Sequence, residues 1–343
     1  MKRRQFAQRI AALSTISLSN MAFDSSPAKR KLKAPRLNRG DTVGLITPGS
    51  YITDEALEKA ISNIETLGFR IRLGKNIRAE RGFTAGTDQE RLDDLHAMFQ
   101  DADIKGVWCA RGGYGCSRLL PKINYKLIKK NPKVLIGYSD ITALLQAIYL
   151  QTGLIGFHGP VGASDMTDYT QAQLLPLIVE GKARHHILIS PENEQHENPL
   201  YHTKIFREGL ASGELVGGNL SLLSAMAGTP YAMDAKDKIV FIEDIGEKPY
   251  RIDRMLTQLR QSSNLHKAKA IALGVFAGCE KDEDARSLSL EETLRDRLMD
   301  LDMPIIYGLS FGHISNMCTL PIGAKATLDT RSKTLALEEA VVQ

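Results

Sequence analysis

The alternation of short apolar runs with helical segments in residues 42–158 is the feature that most constrains the fold. Five runs have the length and the apolar or β-branched composition of strands: 42–48, 69–73, 104–110, 134–138 and 154–157. Three segments between them place apolar residues at helical spacing: 54–67, 88–100 and 140–151. Strands that alternate with helices pair in parallel, and the helices cover both faces of the sheet. The sequence therefore predicts an α/β domain over residues 40–165.

A second domain with a different pattern is predicted for residues 206–343. Its strand-like runs are 238–243, 270–275 and 335–337. Its helical segments are 220–226, 250–261 and 290–298. This mixture is typical of an α+β domain. Residues 166–205 are polar and contain histidines at scattered positions, and we interpret them as a connector between the two domains.

The first 39 residues differ in charge from the rest of the chain. They carry ten basic side chains and one acidic side chain, a net charge of +9, whereas the remainder carries −5. Arg3 and Arg4 precede a weakly apolar stretch, residues 10–23, as in a twin-arginine export signal. We predict a signal peptide and basic linker over residues 1–39, and export to the periplasm. A disordered basic start on a cytoplasmic protein is the alternative.

The composition excludes several functions. The net negative charge of residues 40–343 makes a nucleic-acid partner unexpected. The chain contains no apolar run of about 18 residues, so we expect no stable membrane insertion. The cysteines form no CxxC pair, and the connector histidines lack the spacing of metal ligands. We therefore expect no metal, no other cofactor and no disulfide framework. These patterns do not determine whether the chain is a monomer or a homodimer. The four cysteines are Cys109, Cys116, Cys279 and Cys318.

A serine stands where a predicted buried strand meets a helix. Residues 133–142, KVLIGYSDIT, place Ser139 directly after the strand and at the first turn of the helix. This is the geometry of a nucleophile elbow, which raises the hydroxyl above the sheet edge and beside the helix amides. The usual GxSxG pattern is incomplete, because Ile141 replaces its second glycine. The local residues leave two interpretations open: a nucleophile, or a helix cap formed by Ser139 or Asp140.

A glycine loop follows the preceding strand. Arg111 is followed by Gly112 and Gly113, and adjacent glycines at the carboxyl end of a strand let backbone N–H groups approach a ligand. The carboxyl ends of parallel strands share one edge of the sheet, so we expect this loop and Ser139 to border one crevice. A tight turn without a functional role is the alternative, and the phosphate-loop and dinucleotide patterns are absent.

A serine nucleophile needs a general base, and the base needs an acid that orients it. His313 is flanked by small and apolar residues, and His158 follows another predicted strand, so both are candidates for the base. Residues 241–244, FIED, end an apolar run on two carboxylates, which are costly to bury unless they are paired. Glu243 directly ends this run, whereas Glu247 follows a glycine in a predicted loop.

Six strings follow one another along the chain: TVGLITPGS at 42–50, ARGGYG at 110–115, VLIGYSDITALL at 134–145, LVGGNLSLLSAMAGTPY at 215–231, IVFIEDIGEKPYRIDRML at 239–256 and FGHISNMCTLPIGAKATLD at 311–329. In this order they resemble the LD-carboxypeptidase family, which includes the muramoyltetrapeptide carboxypeptidases and the microcin-immunity serine peptidases. The resemblance implies a flavodoxin-like N-terminal domain and a smaller, β-rich C-terminal domain. It also implies a triad of Ser139, Glu243 and His313, which needs no metal.

The resemblance further implies a carboxypeptidase that releases the terminal D-alanine of murein tetrapeptides in peptidoglycan turnover or recycling. Backbone N–H groups of Asp140, Gly112 and Gly113 are the expected oxyanion donors. The candidates for a clamp on the free carboxylate of the substrate are Arg111, Arg251 and Arg254. An arginine on a surface or helix face, without this role, is the alternative for each, and it is the favoured interpretation of Arg254. Two other functions stay open: a peptidase of the same family that cleaves a peptidyl-nucleotide toxin, and a non-catalytic periplasmic protein that binds muropeptides.

Overall fold

Fourteen strands form two sheets in the part of the chain that the computed structural model describes, residues 31–282 and 286–343. In chain order the strands are β1 (Thr42–Ile46), β2 (Arg70–Leu73), β3 (Ile104–Cys109), β4 (Val134–Gly137), β5 (Phe157–His158), β6 (His185–Ile187), β7 (Lys204–Arg207), β8 (Leu210–Asn219), β9 (Lys238–Ile245), β10 (Ala270–Ala277), β11 (Ile305–Tyr307), β12 (Leu320–Pro321), β13 (Lys325–Asp329) and β14 (Thr334–Leu337).

Nine α-helices connect these strands within the described residues. Two of them begin with capping boxes, Thr87 with Glu90 and Ser289 with Glu292, which satisfy the first backbone N–H groups and fix where each helix starts. The buried apolar side chains of helices and sheets form one continuous cluster. The helices are α1 (Asp54–Thr66), α2 (Asp88–Gln100), α3 (Tyr125–Lys130), α4 (Thr142–Thr152), α5 (Asp168–Ile178), α6 (Pro191–Glu194), α7 (Leu220–Ala225), α8 (Pro249–Ser262) and α9 (Leu290–Leu298).

The first sheet has the strand order β12-β5-β4-β3-β1-β2. Strands β1 to β5 pair in parallel, and their order 2-1-3-4-5 is that of flavodoxin-like folds. The predicted flavodoxin-like α/β architecture is therefore confirmed. The sixth strand, β12, comes from the C-terminal part of the chain and pairs antiparallel with β5.

The second sheet has eight strands in the order β6-β14-β13-β8-β9-β10-β11-β7. Its four central strands, β8 to β11, are parallel and alternate along the chain with α7, α8 and α9, whereas the outer pairs are antiparallel. The predicted β-rich α+β class is confirmed. The segment 166–205 contains more regular structure than its polar composition indicates, because α5 buries Leu174, Leu177 and Ile178 and β6 joins the sheet edge.

The helix that follows β4 packs against β8 and brings the two sheets together. Gln146 Nε2 donates a hydrogen bond of 2.7 Å to the Gly217 carbonyl oxygen, and the Asn219 amide donates to Thr142 Oγ1 over 3.0 Å. Gly218 permits this contact, because a Cβ at that position would lie 2.5 Å from Thr142 Cγ2. The carboxyl ends of β4 and β8 therefore meet.

Across both described stretches, no helix is long and apolar enough to cross a membrane. The predicted export signal falls largely on residues 1–30, which lie outside the described residues.

Candidate active site

Ser139 has a strained backbone at the end of β4. Its φ is +62°, in the left-handed region that costs a residue with a Cβ about 1–2 kcal/mol. Residues Ser139–Ile141 form a turn of 3₁₀-helix that continues into α4. A strained residue in a sharp turn from strand to helix is the geometry of a nucleophile elbow.

Two glycines make room for this turn. Ile141 packs over Gly137, where a Cβ would lie 2.9 Å from the Ile141 side chain. Gly112 comes equally close from the neighbouring loop, since a Cβ there would lie 3.0 Å from Ser139 Cβ and 3.2 Å from the Tyr138 carbonyl oxygen. The glycine loop therefore lies directly against the serine.

Glu243 lies within β9, a central strand of the second sheet, and is completely buried. Asn219 of β8 lies opposite Glu243 in the parallel pairing. Gly312 approaches the carboxylate closely: a Cβ there would lie 3.3 Å from Glu243 Oε2 and 2.7 Å from the Val275 carbonyl oxygen. With a φ of +119°, Gly312 adopts a conformation that L-residues rarely adopt, and it brings the next residue, His313, to the carboxylate.

His313 joins Ser139 and Glu243 in one hydrogen-bonded line. Its Nε2 lies 3.0 Å from Ser139 Oγ, and its Nδ1 lies 2.8 Å from Glu243 Oε2. Burial by itself would raise the pKa of Glu243, but the hydrogen bond and the charge of His313 outweigh it and lower the pKa. An ionised Glu243 accepts the Nδ1–H, which leaves Nε2 able to accept a proton from Ser139.

The other histidine candidate occupies a different environment. His158 is completely buried in β5, with its ring centre 6.1 Å from that of Tyr138 and 5.3 Å from that of Phe241. Among the described residues neither ring nitrogen has a hydrogen-bond partner. Burial lowers the pKa of His158 to about 4, so the ring is neutral at neutral pH. His158 is not hydrogen-bonded to Ser139.

The other carboxylates near Glu243 have different partners. Glu247 is partly exposed, and its Oε2 lies 3.3 Å from Arg251 Nη1. Asp244 is buried and accepts hydrogen bonds from Asn219 Nδ2 over 2.9 Å and from the Ser221 amide over 3.0 Å. Burial and the neighbouring charge of Glu243 raise the pKa of Asp244 to about 6.

A cleft of about 290 Å³ opens beside the serine and histidine. Arg111 borders the cleft, and its Nη1 donates a hydrogen bond of 2.8 Å to the Tyr51 carbonyl oxygen. Arg251 and Arg254 lie on α8 next to Tyr250 and do not line the cleft. The clamp expected as one role of Arg251 is therefore not at this cleft, whereas Arg254 is a helix-face arginine, as favoured. The lining residues are Arg111, Gly112, Gly113, Tyr138, Ser139, Val161 and His313.

One of the predicted oxyanion donors, the backbone amide of Asp140, lies at the start of the helix that follows the serine. The first hydrogen bond of the helix runs from the Ile141 amide to the Tyr138 carbonyl oxygen, so the amide of Asp140 precedes it and is not used within the helix. The Asp140 carboxylate has a structural role, because its Oδ2 accepts a hydrogen bond of 2.9 Å from the Cys116 amide.

Ser50 fixes the glycine loop in place. Its amide donates to the Gly112 carbonyl oxygen over 3.1 Å, and its Oγ accepts a hydrogen bond of 3.0 Å from the Tyr114 amide. Gly113, between these two contacts, has a φ of +97°, and a Cβ there would lie 2.4 Å from Ser50 Oγ. The loop therefore requires glycine at this position.

Metal-binding clusters and disulfides are absent from the described residues. No group of three or more His, Cys, Asp or Glu side chains in residues 31–282 and 286–343 could hold a metal ion. All four cysteines are buried free thiols.

Two models of one peptidase family match the chain. The LD-carboxypeptidase N-terminal domain matches residues 43–159, and the LD-carboxypeptidase C-terminal domain matches residues 212–328. The chain belongs to the LD-carboxypeptidase family. This membership supports a peptidase activity, and it agrees with the resemblance found in the sequence.

Two bacterial relatives of the chain are named as murein carboxypeptidases. The probable murein peptide carboxypeptidase of Bacillus subtilis is 42% identical over 314 residues, which cover 90% of this chain and 95% of the relative. The murein tetrapeptide carboxypeptidase of Pseudomonas aeruginosa is 36% identical over 293 residues, covering 84% and 92%. The solved structure of the microcin C7 self-immunity protein MccF matches with a TM-score of 0.82 and 26% identity, covering 91% of this chain and 100% of that one.

The sequence alone did not identify three residues of this candidate site. The ring centre of Tyr138 lies 4.8 Å from that of His313, Val161 lines the cleft, and Ser50 holds the glycine loop. Tyr138 directly precedes the serine, which is a usable signal. No spacing rule points to Val161 or Ser50, because their positions depend on how distant loops pack.

Proposed function

We propose that this protein is a serine carboxypeptidase that releases the terminal D-alanine from murein tetrapeptides. The observation that carries the proposal is the continuous hydrogen-bonded line from Ser139 through His313 to Glu243, beside an open cleft. A nucleophile, a base and a buried acid linked in this order are the working parts of a serine hydrolase. The names of the two bacterial relatives favour murein peptides as the substrate class.

In this mechanism Ser139 Oγ attacks the carbonyl carbon of an L-centre whose amide nitrogen belongs to the terminal D-residue. His313 Nε2 takes the serine proton as the C–O bond forms, and then gives it to the amine as the C–N bond breaks and D-alanine leaves. A water molecule, deprotonated by the same nitrogen, hydrolyses the acyl-enzyme and restores Ser139. The buried carboxylate of Glu243 stabilises the imidazolium that forms in each step.

The amides of Asp140, Gly112 and Gly113 are proposed to stabilise the oxyanion of each tetrahedral intermediate. A Cβ on Gly112 would lie 3.3 Å from the Asp140 nitrogen, so donors from both loops can converge on one oxygen. The loss of one such donor in other hydrolases lowers kcat by about 100- to 1,000-fold. We therefore expect the loss of one of these donors to lower kcat by a similar factor.

Arg111 is proposed to bind the free C-terminal carboxylate of the substrate. The contact to Tyr51 uses one of its five N–H groups and holds the guanidinium at the border of the cleft. The remaining N–H groups can form the paired hydrogen bonds that a carboxylate accepts. A substrate with an amidated C-terminus should therefore bind poorly.

The test is incubation of the purified protein with L-Ala-γ-D-Glu-meso-diaminopimelate-D-Ala and measurement of the released terminal residue by chromatography that detects D-alanine, L-alanine and alaninamide. We expect release from this peptide, and no release from the same peptide ending in L-alanine or in an amide. Ser139→Ala should abolish release and labelling by a fluorophosphonate, whereas Ser315→Ala, at an exposed serine, should preserve both. Binding of the peptide without release or labelling would instead support a non-catalytic binding protein.

A second substrate class is favoured by the structural match to MccF. One solved structure of that protein contains aspartyl sulfamoyl adenosine, a compound that joins an amino acid to a nucleoside. Comparison of kcat/KM for this compound and for the murein tetrapeptide decides between the two classes. A higher kcat/KM for the nucleotide compound would overturn the murein proposal and leave the triad proposal intact.

We also propose that the enzyme acts on peptides outside the cytoplasm. The support is the charge of +9 in residues 1–39 and the pair Arg3–Arg4 ahead of a weakly apolar stretch. Cell fractionation and N-terminal sequencing should find a shortened wild-type protein in the periplasm. Replacement of both arginines with lysine should keep the protein in the cytoplasm. An intact Met1 in the cytosol would contradict export.

A further inference from the structure

His158 is a buried imidazole for which the proposed triad has no role. The ring is completely buried, and in the described part of the chain neither ring nitrogen has a hydrogen-bond partner. A neutral imidazole carries one N–H donor and one acceptor nitrogen. Buried polar groups are nearly always paired in folded proteins, so an unpaired donor in the core calls for an explanation.

Glu243 has the complementary requirement. Its Oε2 accepts the hydrogen bond from His313, whereas its Oε1 is buried and has no donor among the residues that the structure describes. A buried carboxylate with one free oxygen is costly, and a second donor would stabilise its ionised form. His158 has a donor without an acceptor, and Glu243 has an acceptor without a donor.

The strands bring these two groups to the same region. The His158 ring meets the Phe241 ring edge-on at 5.3 Å, and Phe241 and Glu243, two residues apart on β9, project to the same face. The strand of His158 pairs with β4 so that His158 lies opposite Gly137. The Tyr138 ring contacts both His158 and His313, with ring centres 6.1 Å and 4.8 Å away.

We propose that His158 is a positioning residue that donates its ring N–H to Glu243 Oε1 through one bound water, because the two groups are not hydrogen-bonded to each other directly. With both oxygens held, the carboxylate keeps Oε2 directed at His313. This inference rests on the proposed triad. The competing donor is the side-chain amide of Asn219, whose hydrogen bonding contributes to the lowered pKa of Glu243. One of its two N–H groups donates to Asp244 Oδ1 over 2.9 Å, which leaves the other as the alternative donor.

The kinetic test compares three variants of the full-length protein. His158→Phe keeps a ring and removes the donor, whereas His158→Asn and His158→Gln keep an N–H near the Nδ1 and Nε2 positions, respectively. We expect His158→Phe to lower kcat about 10- to 100-fold with little change in KM, because the carboxylate loses a hydrogen bond to a charged group. At least one of the amide variants should recover most of kcat. Wild-type kcat in all three variants, or the same loss in all three, would overturn the proposal.

A spectroscopic test does not depend on activity. In protein labelled with ¹⁵N-histidine, the ring N–H of His158, identified by its loss in His158→Phe, should give a slowly exchanging, low-field proton signal. This signal should move in Glu243→Gln and stay in place in Glu247→Gln, the matched control. A signal that does not respond to Glu243→Gln would overturn the contact. Release of D-alanine by the wild type tests the proposed function, and the NMR signal tests the contact of His158, so the two proposals can fail independently.

Discussion

Replacement of Glu243 by glutamine tests the acid of the proposed triad. The substitution keeps the shape of a completely buried side chain and removes its charge, 2.8 Å from His313 Nδ1. If the amide NH₂ faces His313, Nδ1 must accept the hydrogen bond and Nε2 carries the proton, so the ring cannot deprotonate Ser139. If the amide oxygen faces it, the tautomer is right but no charge stabilises the imidazolium.

Either arrangement should lower kcat by about 1,000- to 10,000-fold, the size of effect seen when a buried triad carboxylate of a serine protease is replaced by its amide. This loss corresponds to about 4–5 kcal/mol in the activation barrier. KM should change little, because Glu243 does not line the cleft where the substrate would bind. The fold should persist, since the amide fills the same volume.

The matched control is Glu247→Gln. This side chain is partly exposed and contacts Arg251 at 3.3 Å, a surface pair of the kind that contributes little. We expect its kcat to stay within about twofold of the wild type. The assay is steady-state release of D-alanine, coupled to D-amino-acid oxidase, with circular dichroism as a check on folding. Equal losses in the two variants, or a larger loss in Glu247→Gln, would refute the reasoning.

Three further predictions concern strain, packing and pH. Ser139→Gly should be more stable to urea than Ser139→Ala by about 1 kcal/mol, because glycine adopts a φ of +62° freely; equal stabilities would show that the turn is unstrained. Gly112→Ala should lower kcat, because its Cβ would lie 3.0 Å from Ser139 Cβ. Wild-type kcat in this variant would show that the glycine loop can shift without disturbing Ser139. The unfolding free energy of the wild type should fall by up to about 3 kcal/mol more than that of His158→Phe between pH 6.5 and pH 4. The unfolded His158 takes up a proton near pH 6.5, whereas the folded ring, with its pKa at about 4, takes up its proton only as the pH approaches 4. Parallel pH curves from urea titrations would contradict this.

The sequence predicts the first sheet well, because the alternation of strands and helices dictates its parallel pairing. The elbow at Ser139 is also visible locally, since strand, serine and helix follow one another. The sequence does not show, in the same local way, which of His313 and His158 is the base. Both lie next to a glycine and among small or apolar residues, so the local pattern cannot separate them. What separates them is that His158 is enclosed by Tyr138 and Phe241, a property of the assembled fold.

Edge strands and their helices were the hardest to predict. The segment 166–205 contains α5, β6 and α6, although its polar composition indicates a connector. The strand β6, with the sequence HHI, has only two of its three side chains buried, so its place at a sheet edge depends on pairing with β14. In the same way β12 joins the first sheet from the far end of the chain. Long-range pairing of short strands leaves no periodic signal in the sequence.

The path of the chain around His313 explains how one histidine serves groups from two sheets. Gly312 forms a bridge with Val275 of the second sheet, next to Glu243. A few residues later Leu320 pairs with His158 in the first sheet, which also carries Ser139. His313 therefore lies on the segment that crosses from one sheet to the other and is held at both ends. Its two ring nitrogens reach opposite partners because the backbone is anchored to both, so the Ser139–His313–Glu243 line exists only when the two sheets are assembled.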